Sequence, residues 1–85
     1  MVYVSNGGDN TVSVIDTTSN MVIATATVGT APINVAFNRS GTRAYVANYG
    51  FTQEAGKTVS VIDTTNHTTI ATITVGVRPV AIAFK

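Results

Sequence analysis

Eight consecutive residues, Thr11-Val12-Ser13-Val14-Ile15-Asp16-Thr17-Thr18, return unchanged as Thr58 to Thr65, and this duplication constrains the chain more than any other feature. The surroundings repeat with it. Ile23-Ala24-Thr25 returns as Ile70-Ala71-Thr72, Thr27-Val28-Gly29 as Thr74-Val75-Gly76, Pro32 as Pro79, and Ala36-Phe37 as Ala83-Phe84. Upstream, Tyr3-Val4-Ser5-Asn6 returns as Tyr45-Val46-Ala47-Asn48. Self-similarity at a period of roughly 40–50 residues marks a repeat architecture, in which one small unit buries its apolar faces only against neighbouring units.

Within each repeat the pattern is that of strands. Val2 to Asn6, Thr11 to Ile15, Val22 to Val28 and Ile33 to Phe37 are rich in β-branched and aromatic residues. The cycle then returns as Ala44 to Asn48, Thr58 to Ile62, Thr69 to Val75 and Val80 to Phe84. Between them lie turn formers such as Gly7-Gly8-Asp9-Asn10, Asp16 to Asn20 and Asn38-Arg39-Ser40-Gly41. No window carries a helical period, so all eight segments read as strands and the chain as all-β. Several strands are apolar on both faces: Val80, Ile82 and Phe84 share one side, Ala81 and Ala83 the other. A strand with one wet face alternates apolar with polar residues instead. The pattern therefore suits a sheet packed between two neighbouring sheets and thin on one face, as in a propeller blade.

The repeat offsets locate one departure. Tyr3 to Tyr45 is a step of 42 and Val12 to Val59 a step of 47, so five extra residues lie between Asn48 and Thr58. The short loop Gly7 to Asn10 thereby becomes the longer Tyr49 to Lys57, and insertions in repeat proteins fall in loops, often on the binding face.

Composition narrows the function classes. Eighty-five residues make one small domain, of a size that buries a modest share of its surface when alone. A net charge of +1 with 11% charged residues leaves no nucleic-acid footprint, so no nucleic-acid partner is expected. The apolar residues are dispersed, and no run approaches the roughly 20 needed to cross a bilayer as a helix, so no membrane insertion is expected. The N-terminal residues lack the basic and apolar stretches of a secretory signal. Without cysteine there are neither disulfides nor thiolate metal sites. One histidine and four carboxylates supply little for acid–base or metal chemistry.

These residues resemble the YVTN-type β-propeller repeat of archaeal and bacterial surface-layer and other exported proteins. The name motif stands here as Tyr3-Val4-Ser5-Asn6 and Tyr45-Val46-Ala47-Asn48, each departing at the third position. The resemblance implies four-stranded antiparallel blades, with strand A innermost and D outermost. On that frame residues 1–85 are a single two-blade unit. Strands B, C and D of one blade span 2–28, a complete blade spans 33–75, and the A strand of a split blade spans 80–84. Two blades cannot close a ring, which needs about 4–8. The expected partner is therefore a further copy of the chain, docked head to tail in a cyclic homo-oligomer, a trimer ahead of a tetramer. A non-enzymatic scaffold or interaction module, free of cofactors and located outside the cell or at its surface, is what the resemblance implies.

Strand direction groups the candidate ligand-binding residues. In an antiparallel blade the D–A and B–C loops share one face, which places Arg78 beside Tyr49, Phe51, Gln53, Glu54 and Lys57. Arg78 stands where the other repeat has Ala31, so the fold does not require it. Such a rim suits a carbohydrate, a peptide or an anion. An enzyme using a central channel needs acid, histidine or metal-ligand rings there, whereas the innermost strands offer Asn34 among Ala, Val, Ile and Phe residues. Asp16, Asp63, Asn6 and Asn48 read as turn stabilisers, and His67 as an exposed turn residue. Gly7 to Asn10 reads as a turn, having too few acids for the six to eight oxygens calcium wants. Asn38-Arg39-Ser40 and Asn66-His67-Thr68 match the glycosylation acceptor pattern.

Overall fold

Seven of the eight expected segments form strands in the computed structural model, which describes residues 1–51, 53 and 55–85. They are β1 (Val2–Asn6), β2 (Thr11–Asp16), β3 (Met21–Thr27), β4 (Pro32–Phe37), β5 (Arg43–Gly50), β6 (Ala55–Asp63) and β7 (Thr68–Thr74). Every pairing is between sequence neighbours and antiparallel, giving one sheet ordered β1-β2-β3 and a second ordered β4-β5-β6-β7. The fold is all-β, with no helix among the described residues.

The duplicated octapeptide builds the same local structure twice. The register of β2 on β3 shifts between Val14 and Ile15, and that of β6 on β7 shifts between Val61 and Ile62, the same point of the repeat. Such a bulge bends the strand and tightens its twist. Both strands then end in an Asp turn: Thr18 N donates to Asp16 Oδ1 (2.9 Å), and Thr65 N to Asp63 Oδ1 (2.9 Å). The turn role expected of both carboxylates is thus what they perform.

The two sheets pack face to face. Val12 and Ala26 of the first meet Ala44, Val46 and Ile62 of the second, flanked by Tyr3, Val28 and Val35. Fully burying a side chain such as Val46 or Ile62 contributes about 1.5–3 kcal/mol. Hydrogen bonds stitch the seam at its edges. Tyr49 N donates to Ala31 O (3.1 Å), Gly50 N to Thr30 O (2.9 Å), and Thr69 Oγ1 to Thr27 O (2.6 Å).

Two expectations are corrected. Val80 to Phe84 form no strand. A strand exists by virtue of its partner's N–H and C=O groups; the matching segment β4 draws its ladder from β5, and no described strand stands in that relation to 80–84. The first sheet consequently has three strands and the second four. The segment is nonetheless held in place. Phe84 packs edge-on against Tyr45, ring centroids 5.2 Å apart, as Phe37 packs against Tyr3 at 4.9 Å.

The second correction concerns the expanded loop. Strand β5 runs on to Gly50 and β6 begins at Ala55, with Gly50 paired to Ala55, so part of the insertion lengthens the hairpin. A register shift between Asn48 and Gly50 makes this possible. It brings Gly56 so close to the opposite strand that a Cβ there would collide with the Asn48 carbonyl oxygen. Only glycine fits.

Candidate functional site: an arginine–aromatic rim and two pinned seams

The extended β5–β6 hairpin and the connection after β7 together position Arg78. Its backbone N–H donates to Gly56 O (2.7 Å), and its φ of 56° turns the chain at that point. A left-handed conformation is unusual for a residue with a Cβ, and Ala31 repeats it at the matching position with φ 48°. The guanidinium then reaches the hairpin end. Arg78 Nη2 donates to Phe51 O (3.2 Å), and Cζ lies 5.6 Å from the centroid of the Tyr49 ring. A cation over a tyrosine face is attracted by the ring quadrupole, by about 0.5–1 kcal/mol at exposed sites.

Of the sequence-derived candidates, Arg78, Tyr49 and Phe51 therefore meet. Gln53 and Lys57 are exposed on the same hairpin, and Lys57 O accepts from Val75 N (2.7 Å). Glu54 lies outside the described residues. The rim is open: the described residues enclose no pocket. Nor do three or more His, Cys, Asp or Glu side chains gather anywhere among them.

The motif asparagines act differently from the turn role expected of them. Asn6 Nδ2 donates to Thr11 Oγ1 (3.2 Å) and Ser13 Oγ (2.7 Å); Asn48 Nδ2 donates to Thr58 Oγ1 and Ser60 Oγ, both at 3.0 Å. Each ties the end of one strand to two hydroxyls of the next. Asn48 is fully buried, and its Oδ1 has no hydrogen-bond partner among the described residues. Gly29, from the first repeat, covers it: a Cβ on Gly29 would lie 2.6 Å from Asn48 Nδ2. The available sequence signal was the pairing, in both repeats, of Tyr-Val-x-Asn with a downstream Thr-Val-Ser.

His67 also departs from its expected role. It is partly buried, with Nδ1 hydrogen-bonded to Tyr3 Oη at 2.6 Å across the two sheets. Burial holds the Tyr3 phenol above its ordinary pKa, and the nearby Asp63 charge adds to the effect. The phenol is thus kept protonated, suited to pinning the seam rather than to acting as a nucleophile. Asp63 itself is held below the usual carboxylate range. The Thr65 backbone N–H is the main cause, opposed by some desolvation and assisted by the Thr65 side chain and by Arg43, whose Nη1 lies 3.8 Å away.

The two acceptor-pattern asparagines differ. Asn38 is engaged in its turn, with Nδ2 donating to Thr42 Oγ1 (3.0 Å) and Oδ1 accepting from Arg43 N (3.1 Å). Asn66 is exposed, and its Oδ1 accepts from Thr68 Oγ1 (2.7 Å).

No family model and no curated protein matches the chain. Among solved structures it is similar to hydrazine synthase of Kuenenia stuttgartiensis, with a TM-score of 0.81 and 29% identity over 88% of this chain and 20% of that one. The chain thus spans about a fifth of the length of the protein it matches. Among the described residues there is no helix long and apolar enough to cross a membrane.

Proposed function

We propose that the two sheets are adjacent blades of a β-propeller, and that the chain is a non-enzymatic structural and interaction module completed by further copies of itself. In this reading β4 to β7 are a whole blade and β1 to β3 are strands B, C and D of another. One observation carries it. Three of the residues that fill the contact between the sheets, Ala26, Ala44 and Val46, have repeat counterparts that lie open. Val46 is 0% exposed and its counterpart Val4 39%; Ala26 is 4% exposed and its counterpart Ile73 44%. Open apolar faces of this kind mark interaction surfaces. The structural likeness to part of hydrazine synthase is consistent with a propeller-like fragment. Three copies would give a six-bladed ring and four an eight-bladed one, and we favour three. A place outside the cell or on its surface follows from the YVTN-like motifs. Small-angle X-ray scattering of the 85-residue chain tests the reading: a flat ring with a central channel is expected. A curve that fits a lone pair of sheets would overturn it.

A second reading, binding of a carbohydrate or peptide, is favoured by the contact of Arg78 with Tyr49 and Phe51 on an exposed rim. Aromatic rings held rigidly at a surface offer contact area at little entropic cost. A glycan array answered by this chain, and lost with Tyr49→Ala, would support it. An array silent for both would remove it.

A further inference from the structure

We propose that Gly76 of one copy is the seat for Asn6 of the next, within a seam that also makes residues 79–84 the fourth strand of the neighbour's β1–β3 sheet. This rests on the propeller reading and specifies its contacts. The seam inside the chain is the template. There Gly29 lies against Asn48 so closely that a Cβ would meet Nδ2 at 2.6 Å. The counterparts are Gly76 and Asn6. Within one chain a Cβ on Gly76 would meet nothing within 4 Å, so the missing side chain serves no contact there. Asn6 is already held for the purpose by Thr11 and Ser13, as Asn48 is by Thr58 and Ser60.

The remaining contacts carry over in the same way. The β4–β5 register pairs Asn34 with Ala47, Val35 with Val46 and Phe37 with Ala44. Shifted by the repeat, it pairs Ala81 with Ser5, Ile82 with Val4 and Phe84 with Val2 of the next copy. Phe84, seated on Tyr45 as Phe37 is on Tyr3, already stands where that strand ends. Tyr49 and Gly50 donate to Ala31 and Thr30 inside the chain; Gly7 and Gly8 would donate to Arg78 and Val77 between copies. Side-chain sizes are exchanged at this point. Small Ala31 faces large Tyr49 in one seam, and large Arg78 faces Gly7 in the other. Tyr3 meets His67 inside, and Tyr45 would meet Asn20, whose φ of 58° matches the 59° of His67.

Two variants test this, read by light scattering and circular dichroism. Gly76→Val should keep the β spectrum, since the site is open in the single chain, yet lose the multimer, because Asn6 of the neighbour can no longer seat. The chain lacks cysteine, so Ser5→Cys with Ala81→Cys introduces the sole thiols. On oxidation this pair should give covalent multimers on a non-reducing gel, whereas either substitution alone should not give that ladder. A wild-type multimer that survives Gly76→Val unchanged, with no ladder from the cysteine pair, overturns this seam and leaves the propeller reading standing. A wild-type monomer overturns both. Should Gly76→Val fail to fold, the cysteine pair decides.

Discussion

Val46 and Val4 occupy the same place in two copies of one motif, yet the first is sealed between sheets and the second faces outward. A milder form of the contrast runs through Asn48 and Asn6, and through Ile62 and Ile15, the first of each pair buried and the second half-buried; Gly29 is packed on Asn48, whereas Gly76 has open space around it. Local structure hardly differs: matching strands, matching bulges and matching Asp turns appear on both sides. What differs is the neighbour. In a repeat architecture burial belongs to the seam between units rather than to the unit, because each sheet can hide only the face that another sheet covers. In the proposed assembly the inner seam is the template for the contact that the outer faces would make.

The largest expected effect comes from the seam core. Ile62→Ala should lower unfolding free energy by about 2–5 kcal/mol, the usual range for truncating a buried isoleucine. Ile15→Ala should cost the isolated chain markedly less, and urea titration of both variants measures the gap. Assembly should close that gap. Equal costs in a monomeric state would break the comparison.

Next come the asparagines. Asn48→Ala strips Thr58 and Ser60 of a shared donor at a fully buried site and should cost about 1–3 kcal/mol. Asn6→Ala, at a partly exposed site, should cost less by the same thermal-melt measurement.

A smaller effect is expected from Tyr3→Phe, which removes the hydroxyl bonded to His67 across the seam and should cost about 0.5–1.5 kcal/mol. Its pH dependence is a sharper test. Because the Tyr3 pKa is raised on folding, its stabilising contribution is complete below the unfolded value of about 10 and fades as pH rises through the folded value. Melts at alkaline pH should therefore show the wild type converging on the variant.

The smallest effect is at Asp63. Its pKa is lowered on folding, so its contribution is present above the unfolded value of about 3.9 and disappears as pH falls through the folded one. Asp63→Asn should be less stable than wild type near neutrality and equal to it in strong acid, as followed by melting temperature against pH. A gap that persists in strong acid would assign the effect to the lost turn geometry instead of the charge.

Much of this fold was legible because the chain states it twice. The octapeptide from Thr11 to Thr18 has the alternation of a strand and ends in a turn-forming Asp-Thr-Thr, and both features are local. The roles of Asn6 and Asn48 were not legible, since they depend on which hydroxyls the register brings opposite. The role of His67 is hidden for a related reason: its partner Tyr3 lies 64 residues away and on the other sheet. The lengthened hairpin hinges on Gly56 passing close to the Asn48 backbone, a contact without a sequence signature. Residues 80–84 have the pattern of a strand but pair with none of the described strands. At the rim, strand direction alone groups Arg78 with Tyr49 and Phe51, whereas the Phe51 carbonyl becomes the guanidinium's acceptor only through the three-dimensional path of the hairpin.

The most direct test of the relation between the inner seam and the open faces is the solution mass of the unmodified 85-residue chain by multi-angle light scattering. A sharp species of three chain masses, or of four, is expected, with no folded monomer on dilution. A folded, cooperatively melting monomer across the same concentrations would contradict it, since the outer faces would then be stable in water without a partner.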